Sequence, residues 1–420
     1  MKLWKFGALA LAGVFGVAIT SAAPAAPAAF GNAAGFGGST APAQIERFGN
    51  IFAVSVCGRF SPAGSAHCYA KVVTDARGNI KEWVPAAGLN RNATPSGFGP
   101  ADLRAAYGLS PASGSPGTGP TIAIVDAYGY PNAEADLGKY RAQFGLGTCT
   151  KSNGCLRIVN QTGGTSLPRL NVGWAQEQAL DLDMASAMCP NCKILLVQAT
   201  NSYLNSLATA TNTAAKLGAV VISNSYGGDE GGTTSYESAW NHSGVAVTVS
   251  SGDYGYGVQF PASSPHVVAV GGTHLTRSGG GWSETAWNGA GSGCSGVYGI
   301  LANTQSSGTT GCPNRAVSDV SAVADPSTGV AVYGPVSRTR SGWLVFGGTS
   351  VAAPLVGGIY GAAGGIVSYP TTKLYGAAGN AFRDITSGSN GSCPTTQWCN
   401  AGPGWDGPTG LGTAQGASAF

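Results

Sequence analysis

Residues Gly347–Pro354 read Gly-Gly-Thr-Ser-Val-Ala-Ala-Pro, and the rest of the chain can be interpreted outward from them. Small residues lead into Ser350 and an apolar run follows it, which predicts a sharp turn into a buried helix. Ser350 would then stand at the helix N-terminus, where the backbone N–H and the helix dipole can stabilise an oxyanion. An ordinary N-cap serine gives the same local pattern. The remaining sequence therefore has to indicate whether anything activates this serine.

Short apolar runs alternate with segments of helical pattern before that turn. The predicted strands are 121–126, 194–197, 220–222, 245–249 and 267–270, and the predicted helices are about 132–144, 174–188 and 207–217. Continuous apolar strands alternating with helices predict an α/β, doubly wound, mostly parallel sheet with helices on both faces. Ligand chemistry then belongs at the carboxyl ends of those strands.

Composition narrows the classes of function. Of the 420 residues only 10% are charged and 43% are hydrophobic, with 67 glycines, which indicates a loop-rich globular protein. A net charge of +3 predicts no nucleic-acid partner. No stretch after the N-terminal apolar run looks long enough to span a bilayer, so no stable membrane association is expected.

The N-terminus predicts export. Lys2 and Lys5 precede an apolar run that ends near Ile19, followed by small residues, so residues 1–23 are interpreted as a secretory signal peptide. Residues 24–93 form a linker, rich in Ala, Pro and Gly, and a short prosegment with an alternating patch near Val72. A stable N-terminal subdomain is the alternative. A larger domain is expected over 94–420.

Ten cysteines fit an exported protein, because oxidising compartments permit disulfides. Pairing neighbours along the chain is the simplest hypothesis. The expected pairs are Cys57–Cys68, Cys149–Cys155, Cys189–Cys192, Cys294–Cys312 and Cys393–Cys399. A redox or zinc role for Cys189 and Cys192 is less favoured, since no second ligand pair accompanies them.

Carboxylates are better candidates than histidines to activate Ser350. The chain has only four histidines, and none has a Gly-rich helix-opening context. Glu177 and Asp181 are four residues apart on a predicted helix and would share one face. Two such carboxyl groups can share a proton at acidic pH. Two acids on a solvated helix face would give the same spacing.

A third carboxylate follows a predicted strand. Asp253 lies in Ser-Gly-Asp-Tyr-Gly, a turn just after the strand 245–249. Turn aspartates usually serve turn geometry. A protonated Asp253 could instead donate a hydrogen bond to an oxyanion beside Ser350.

Together these motifs resemble the sedolisin family, the serine-carboxyl peptidases, whose fold is similar to that of subtilisin. The resemblance covers about residues 94–420. The matching strings are Glu177–Asp181, Ser251–Asp253, Phe260–Pro265, Ala269–Thr273, Asp319–Ser321, Gly348–Ser350, Trp405–Asp406 and Thr409–Gly412. Gly347 and Ser318 depart from the usual pattern, and the segment before Thr94 is shorter than the usual sedolisin prodomain.

The resemblance implies specific roles. Ser350 would be the nucleophile, Glu177 the general base and acid, Asp181 its partner, and Asp253 the oxyanion-hole donor. Residues Ser225, Tyr226 and Gly227 would form the substrate-binding strand, pairing with an extended peptide. Asp126, whose Ile-Val-Asp context resembles the triad aspartate of ordinary subtilisins, is interpreted as structural.

A calcium site is also implied near the C-terminus. The resemblance assigns one structural Ca²⁺ to two carboxylates, Asp384 and Asp406, and to the backbone carbonyls of Ile385, Gly402 and Gly404. Oxygen ligands supplied by loops suit Ca²⁺. Two loop aspartates in turns are the alternative.

The sequence thus predicts a secreted, monomeric, acid-active endopeptidase, made as a zymogen, that acts on polypeptides. One alternative is a catalytically silent secreted binding protein on the same fold. Another is a neutral subtilisin-type hydrolase that uses Asp126 and one of the histidines.

Overall fold

The computed structural model of the protein describes residues 44–59, 62–83, 94–110, 114–364, 369–377 and 379–420. All of them belong to one compact unit, Ala33–Phe420. The predicted signal peptide lies outside the described residues, as do parts of the predicted linker and prosegment. No helix in the described ranges is long and apolar enough to span a bilayer.

The helices and strands follow one another in a mixed order. The strands are β1 (Ile45–Phe48), β2 (Ile51–Ser55), β3 (His67–Cys68), β4 (Lys71–Thr74), β5 (Thr121–Ala127), β6 (Leu156–Asn160), β7 (Lys193–Ala199), β8 (Val221–Asn224), β9 (Tyr226–Gly227), β10 (Ala246–Ser250), β11 (Val268–Ser278), β12 (Gly281–Ala286), β13 (Gly293–Cys294), β14 (Ala316–Val317), β15 (Val320–Val323), β16 (Val330–Pro335), β17 (Ser341–Gly347), β18 (Phe382–Arg383) and β19 (Thr413–Ala414). The helices are α1 (Pro100–Ala106), α2 (Ala133–Gln143), α3 (Val172–Met188), α4 (Leu204–Lys216), α5 (Ser307–Thr310), α6 (Thr349–Ala363) and α7 (Pro370–Tyr375).

The larger sheet contains the strands predicted from the apolar runs. Its order is β18-β19-β15-β11-β10-β8-β5-β7-β6, with β12 added to β11. The pairs from β15 through β6 are parallel, whereas β12 and β18 pair antiparallel with their neighbours. Strand β8 shows that both faces are covered. Ser223 packs against α6 while Asn224, on the opposite face, contacts Thr211 of α4. The predicted doubly wound α/β architecture is confirmed.

Helix α3 is buried along its whole length. It packs against α1, α2, α6 and strand β16, so no side of it faces solvent. Its two candidate carboxylates, Glu177 and Asp181, are therefore fully buried. The alternative of two acids on a solvated helix face is wrong, because the helix has no solvated face.

The N-terminal segment forms a second sheet with strands from the C-terminal half, of order β1-β2-β4-β17-β16. In its register Lys71 lies opposite Gly347 and Val72 opposite Phe346, directly before the turn to Ser350. The alternating patch near Val72 is thus a strand of a sheet that the N-terminal segment shares with the C-terminal half. The reason is that β4 satisfies its backbone groups by pairing with β2 on one side and β17 on the other. Removal of this segment stays a prediction.

The five expected disulfides are all present. They join Cys57–Cys68, Cys149–Cys155, Cys189–Cys192, Cys294–Cys312 and Cys393–Cys399. Each closes a loop of 3 to 18 residues in sequence separation, so they stabilise the fold locally.

Candidate active site

The turn before α6 brings Ser350 to the carboxyl edge of the sheet. Strand β17 ends at Gly347, Gly348 has φ of 99°, and α6 begins at Thr349. Glycine is required at 348 because of this positive φ, and because a Cβ there would collide with the carbonyl oxygen of Tyr69 and with Oδ2 of Asp253. Ser350 is the second residue of the helix, as the sequence predicted, and it is fully buried.

Helix α3 places Glu177 beside Ser350. Burial raises the pKa of Glu177 well above its usual range, and the charge of Asp181 raises it further. The nearby Ser350 hydroxyl and a hydrogen bond from the backbone N–H of Ala70 oppose that rise. The Ser350 hydroxyl donates to the carbonyl oxygen of Ser225 at 3.2 Å, and Glu177 Oε1 has no hydrogen-bond partner among the described residues. Glu177 is thus positioned to exchange a proton with the serine hydroxyl.

Asp181 continues the carboxyl chain into the core. Burial raises its pKa, as does the charge of Asp126, whereas the hydrogen bond from Ser225 and the nearby Glu177 carboxyl lower it. The Ser225 hydroxyl donates to Asp181 Oδ1 at 2.9 Å. Sequence reasoning assigned Ser225 to substrate binding only. Its hydroxyl also holds the partner of the candidate base.

Asp253 lies on the other side of Ser350. The Thr349 N–H and hydroxyl donate to its Oδ1 at 2.7 and 2.8 Å, while Oδ2 is buried, has no hydrogen-bond partner among the described residues, and faces Gly348. Burial raises the pKa of Asp253 to about 7, although the charge of Lys71 lowers it. In acid the protonated carboxyl can donate from Oδ2. The sequence did not predict that Thr349 would hydrogen-bond to Asp253 and orient it.

Asp126 lies next to these groups. It is the penultimate residue of β5, fully buried, and neither carboxyl oxygen has a hydrogen-bond partner within the described part of the chain. Burial and the nearby Glu177 raise its pKa. An aspartate kept for fold stability is normally hydrogen-bonded. Asp126 is thus a further buried carboxyl near Glu177 and Asp181, and its place at a strand end was the available signal.

Three histidines have partners away from Ser350. His242 contacts the carbonyl oxygen of Ala239, His266 pairs with Glu237 at 2.6 Å, and His274 pairs with Asp325 at 2.9 Å. The fourth, His67, lies on the N-terminal segment, and burial lowers its pKa to about 4. These contacts disfavour the neutral subtilisin-type alternative.

The strand Ser225–Gly227 pairs with the chain's own N-terminal segment. Cys68 lies opposite Tyr226 and His67 opposite Gly227 in an antiparallel pair. The Tyr69 N–H donates to the carbonyl oxygen of Ser225 at 3.3 Å. The strand predicted to bind an extended peptide thus pairs with an extended segment of the chain itself.

The residues predicted to bind calcium lie together. The Gly404 N–H donates to Asp384 Oδ2 at 2.9 Å and the Gly402 N–H to Asp406 Oδ2 at 3.2 Å. Burial raises the pKa of Asp406 to about 7, and the charge of Asp384 adds to the rise. No group of three or more His, Cys, Asp or Glu side chains that could hold a metal occurs in the described ranges. Further ligands would have to be carbonyls such as those predicted, and an all-oxygen set with two adjacent carboxylates fits Ca²⁺.

Several known proteins are similar to this chain in sequence. The sequence model of the Subtilase family matches residues 170–364. Kumamolisin from Bacillus sp. strain MN-32 is 33% identical over 362 residues, covering 77% of this chain and 63% of that protein. Sedolisin from Pseudomonas sp. strain 101 is 36% identical over 205 residues, 40% of this chain and 33% of that protein. The chain thus spans less than two thirds of the length of these curated relatives.

A solved structure extends the similarity to the fold. Pseudomonas sedolisin, a serine-carboxyl proteinase complexed with two molecules of pseudo-iodotyrostatin, superposes with a TM-score of 0.63 at 25% identity. The match covers 77% of this chain and 96% of that one. With its subtilisin-like sheet and a serine beside buried carboxyl groups, the chain resembles the sedolisin family in both sequence and fold.

Proposed function

We propose that the protein is a secreted serine-type endopeptidase, active in acid, that hydrolyses polypeptides through an acyl-enzyme on Ser350. The observation that carries this proposal is the buried contact of Ser350 with Glu177, whose pKa is raised by burial and by Asp181. A serine nucleophile needs a base and an oxyanion donor. Carboxyl groups supply both here, and such groups hold the necessary protons only in acid.

In the proposed mechanism Ser350 Oγ attacks the substrate carbonyl and its proton passes to Glu177. Asp181, held by Ser225, shares charge with Glu177 and keeps it oriented. Protonated Asp253 donates to the developing oxyanion. Glu177 then protonates the leaving amine, and a water molecule hydrolyses the acyl-enzyme by the reverse proton path.

Substrates would bind as an extended strand along Ser225, Tyr226 and Gly227. Backbone pairing of this kind is largely independent of substrate sequence, so it suits an endopeptidase acting on polypeptides. The antiparallel pair that this strand forms with His67 and Cys68 supports that use.

The remaining predictions fit the same proposal. Five disulfides suit export, and residues 24–93 would act as the prosegment of a zymogen. The mature protein would be a monomer. One Ca²⁺, held by Asp384, Asp406 and the carbonyls of Ile385, Gly402 and Gly404, would offset the repulsion between the two carboxylates and stabilise the C-terminal loops.

A pH–activity profile on a denatured protein substrate tests the proposal. We expect activity between about pH 2 and 6, where paired carboxyls hold a proton, and none in Ser350→Ala. Inactivity of folded wild-type protein throughout this range would favour the catalytically silent binding protein. Labelling of Ser350 by a peptide aldehyde, which mimics the tetrahedral intermediate, would exclude that alternative.

A further inference from the structure

The turn that joins β15 to β16, residues 324–328, packs against the chain that leads into Ser350. The Gly348 N–H donates to the Ala324 carbonyl oxygen at 2.6 Å. A Cβ at Gly347 would lie 2.5 Å from the backbone nitrogen of Pro326, so only glycine lets the two segments approach this closely. We call residues 324–328 the supporting turn, because their position bears on the placement of Ser350.

Asp325 organises the supporting turn. Its Oδ1 accepts the Ser327 N–H at 2.8 Å and the Ser327 hydroxyl at 2.7 Å, as an aspartate does at a helix N-cap. The Asp325 side chain is only 14% exposed. One carboxyl oxygen thus closes the turn, and the other, Oδ2, binds a group outside it.

That group is the imidazole of His274 on β11. The His274 Nδ1 lies 2.9 Å from Asp325 Oδ2 and 3.3 Å from Ser327 Oγ. Since the Ser327 hydroxyl hydrogen is committed to Asp325, both neighbours of Nδ1 are acceptors, and Nδ1 therefore carries a hydrogen. His274 thus donates to Asp325 whether the ring is neutral or protonated.

Protonation of the ring strengthens this contact. The hydrogen bond to Asp325 raises the pKa of His274 and the charge of Asp325 adds to the rise, although burial opposes it. Burial raises the pKa of Asp325, but the hydrogen bonds from His274 and Ser327 outweigh it and lower that pKa. In acid the two side chains therefore form an ion pair, whose hydrogen bond is stronger than that of a neutral pair.

The charged residues that neighbour His274 in the sheet are engaged elsewhere. Thr285 lies opposite it on β12, and β15, Val320–Val323, has no titratable side chain. Arg277 on the same strand pairs with Asp102. The carboxyl of Glu284 is bound by Thr273, Thr413 and Arg383. Asp325 is thus the charged group that answers to His274.

We propose that His274 is a positioning residue for Ser350, and that its protonated ring holds Asp325 and the supporting turn against the chain before the nucleophile. This inference rests on the proposed function, because it concerns how the nucleophile is placed. A displaced nucleophile slows the chemical step while substrate binding is largely retained.

The effect of His274 is expected to be moderate. The Thr273 carbonyl oxygen also accepts the N–H groups of Ala324 and Asp325, at 2.9 and 3.1 Å. Loss of the imidazole should therefore shift the supporting turn without releasing it.

The contact also makes the placement of Ser350 depend on pH. Because the pKa of His274 is raised in the folded protein, the ion pair is complete below the ordinary histidine value of about 6.5. The charge is lost as the pH rises through the folded-state pKa. The neutral ring still donates from Nδ1, so the loss of the contact is partial.

The kinetic test compares His274→Ala with His274→Asn, whose Nδ2 can take the place of Nδ1 and donate without a charge. On a quenched peptide at about pH 4 we expect His274→Ala to lower kcat about tenfold with KM within about twofold. His274→Asn should restore kcat to within about threefold of wild type. Between about pH 4 and 7.5 the ratio of wild-type to His274→Asn kcat should fall toward 1.

His242 provides the matched control. It contacts the carbonyl oxygen of Ala239, and His242→Ala should leave kcat and its pH dependence unchanged. Nuclear magnetic resonance of the four histidines measures the pairing itself. His274 should titrate above about 6.5, and Asp325→Asn should lower its pKa.

Gly347→Ala tests the contact between the supporting turn and the nucleophile's chain. The added Cβ pushes Pro326 away, so this variant should itself lower kcat and reduce the further effect of His274→Ala to less than about twofold. Circular dichroism checks that each variant is folded. If Gly347→Ala does not fold, the two His274 variants still decide the question.

The outcomes separate the two proposals. Wild-type kcat in folded His274→Ala, or the same loss in His274→Asn as in His274→Ala at every pH, would overturn this inference and leave the proposed function standing. Inactivity of folded wild type at every pH would overturn the proposed function, and this inference with it.

Discussion

The backbone N–H of Ala70 donates a 2.9 Å hydrogen bond to Oε2 of Glu177, across 107 positions of sequence. The carboxyl proposed as base thus contacts the chain's own N-terminal segment. Assays of the variants below should therefore use protein whose N-terminus has been determined, so that release of the segment and catalysis are measured separately.

Glu177→Gln should reduce kcat at least about a thousandfold, because the amide cannot take the serine proton. The matched control is Asp183→Asn on the same helix, where the buried carboxyl accepts the Tyr333 N–H at 2.9 Å instead of contacting Ser350. It should keep activity within about tenfold while losing about 1 kcal/mol of stability. Initial rates on denatured protein and urea unfolding measure the two effects. Equal losses of activity in both variants would contradict the assignment.

Asp253→Asn should alter the pH dependence more than the maximal rate. The pKa of Asp253 is raised to about 7 by burial, so the wild-type carboxyl donates to the oxyanion only below that pH. Asparagine donates at any pH, and its oxygen can still accept the Thr349 N–H. We expect the rate to fall less steeply toward neutral pH in this variant, whereas Asp253→Ala should lose roughly 100-fold or more at every pH. A steeper alkaline fall in Asp253→Asn would refute the donor role.

Asp126→Asn should retain measurable activity with a shifted pH profile. The charge of Asp126 raises the pKa of Asp181. Removing that charge lets Asp181 ionise at lower pH, so the limb of the kcat profile that reports the carboxyl pair should move toward acid. An unchanged profile would mean that Asp126 is electrostatically separate from the catalytic pair. Complete inactivity in a folded variant would instead make it indispensable.

Calcium should stabilise the protein more at pH 7 than at pH 4. The pKa of Asp406 in the folded state is about 7, above the usual value of about 4. The metal-free folded state therefore binds a proton that the unfolded chain lacks between about pH 4 and 7, so stability falls as pH rises through that window. A bound cation replaces the proton. Tm measured with excess Ca²⁺ and with chelator should differ at pH 7, and Asp384→Asn should reduce the difference. The same Tm in both solutions at pH 7 would exclude the site.

Local patterns were sufficient to predict the main elements. The apolar run at 121–126 is β5 within one residue, and the predicted helix 174–188 is α3 extended by two residues at its start. Strand and helix periodicity are written in consecutive residues, so they can be read without tertiary information. The turn at Gly348 was equally predictable because only glycine fits its conformation.

The sequence by itself predicted the sheet, the helix whose first turn contains Ser350, the five disulfide pairs and the candidate carboxyls. Tertiary structure alone decided that α3 is buried on all sides, which raises the pKa of Glu177 and Asp181. It also decided that Asp126 joins them and that Tyr69 lies against Ser350. These relationships depend on burial and on contacts between residues far apart in the chain, and no local pattern of residues encodes either.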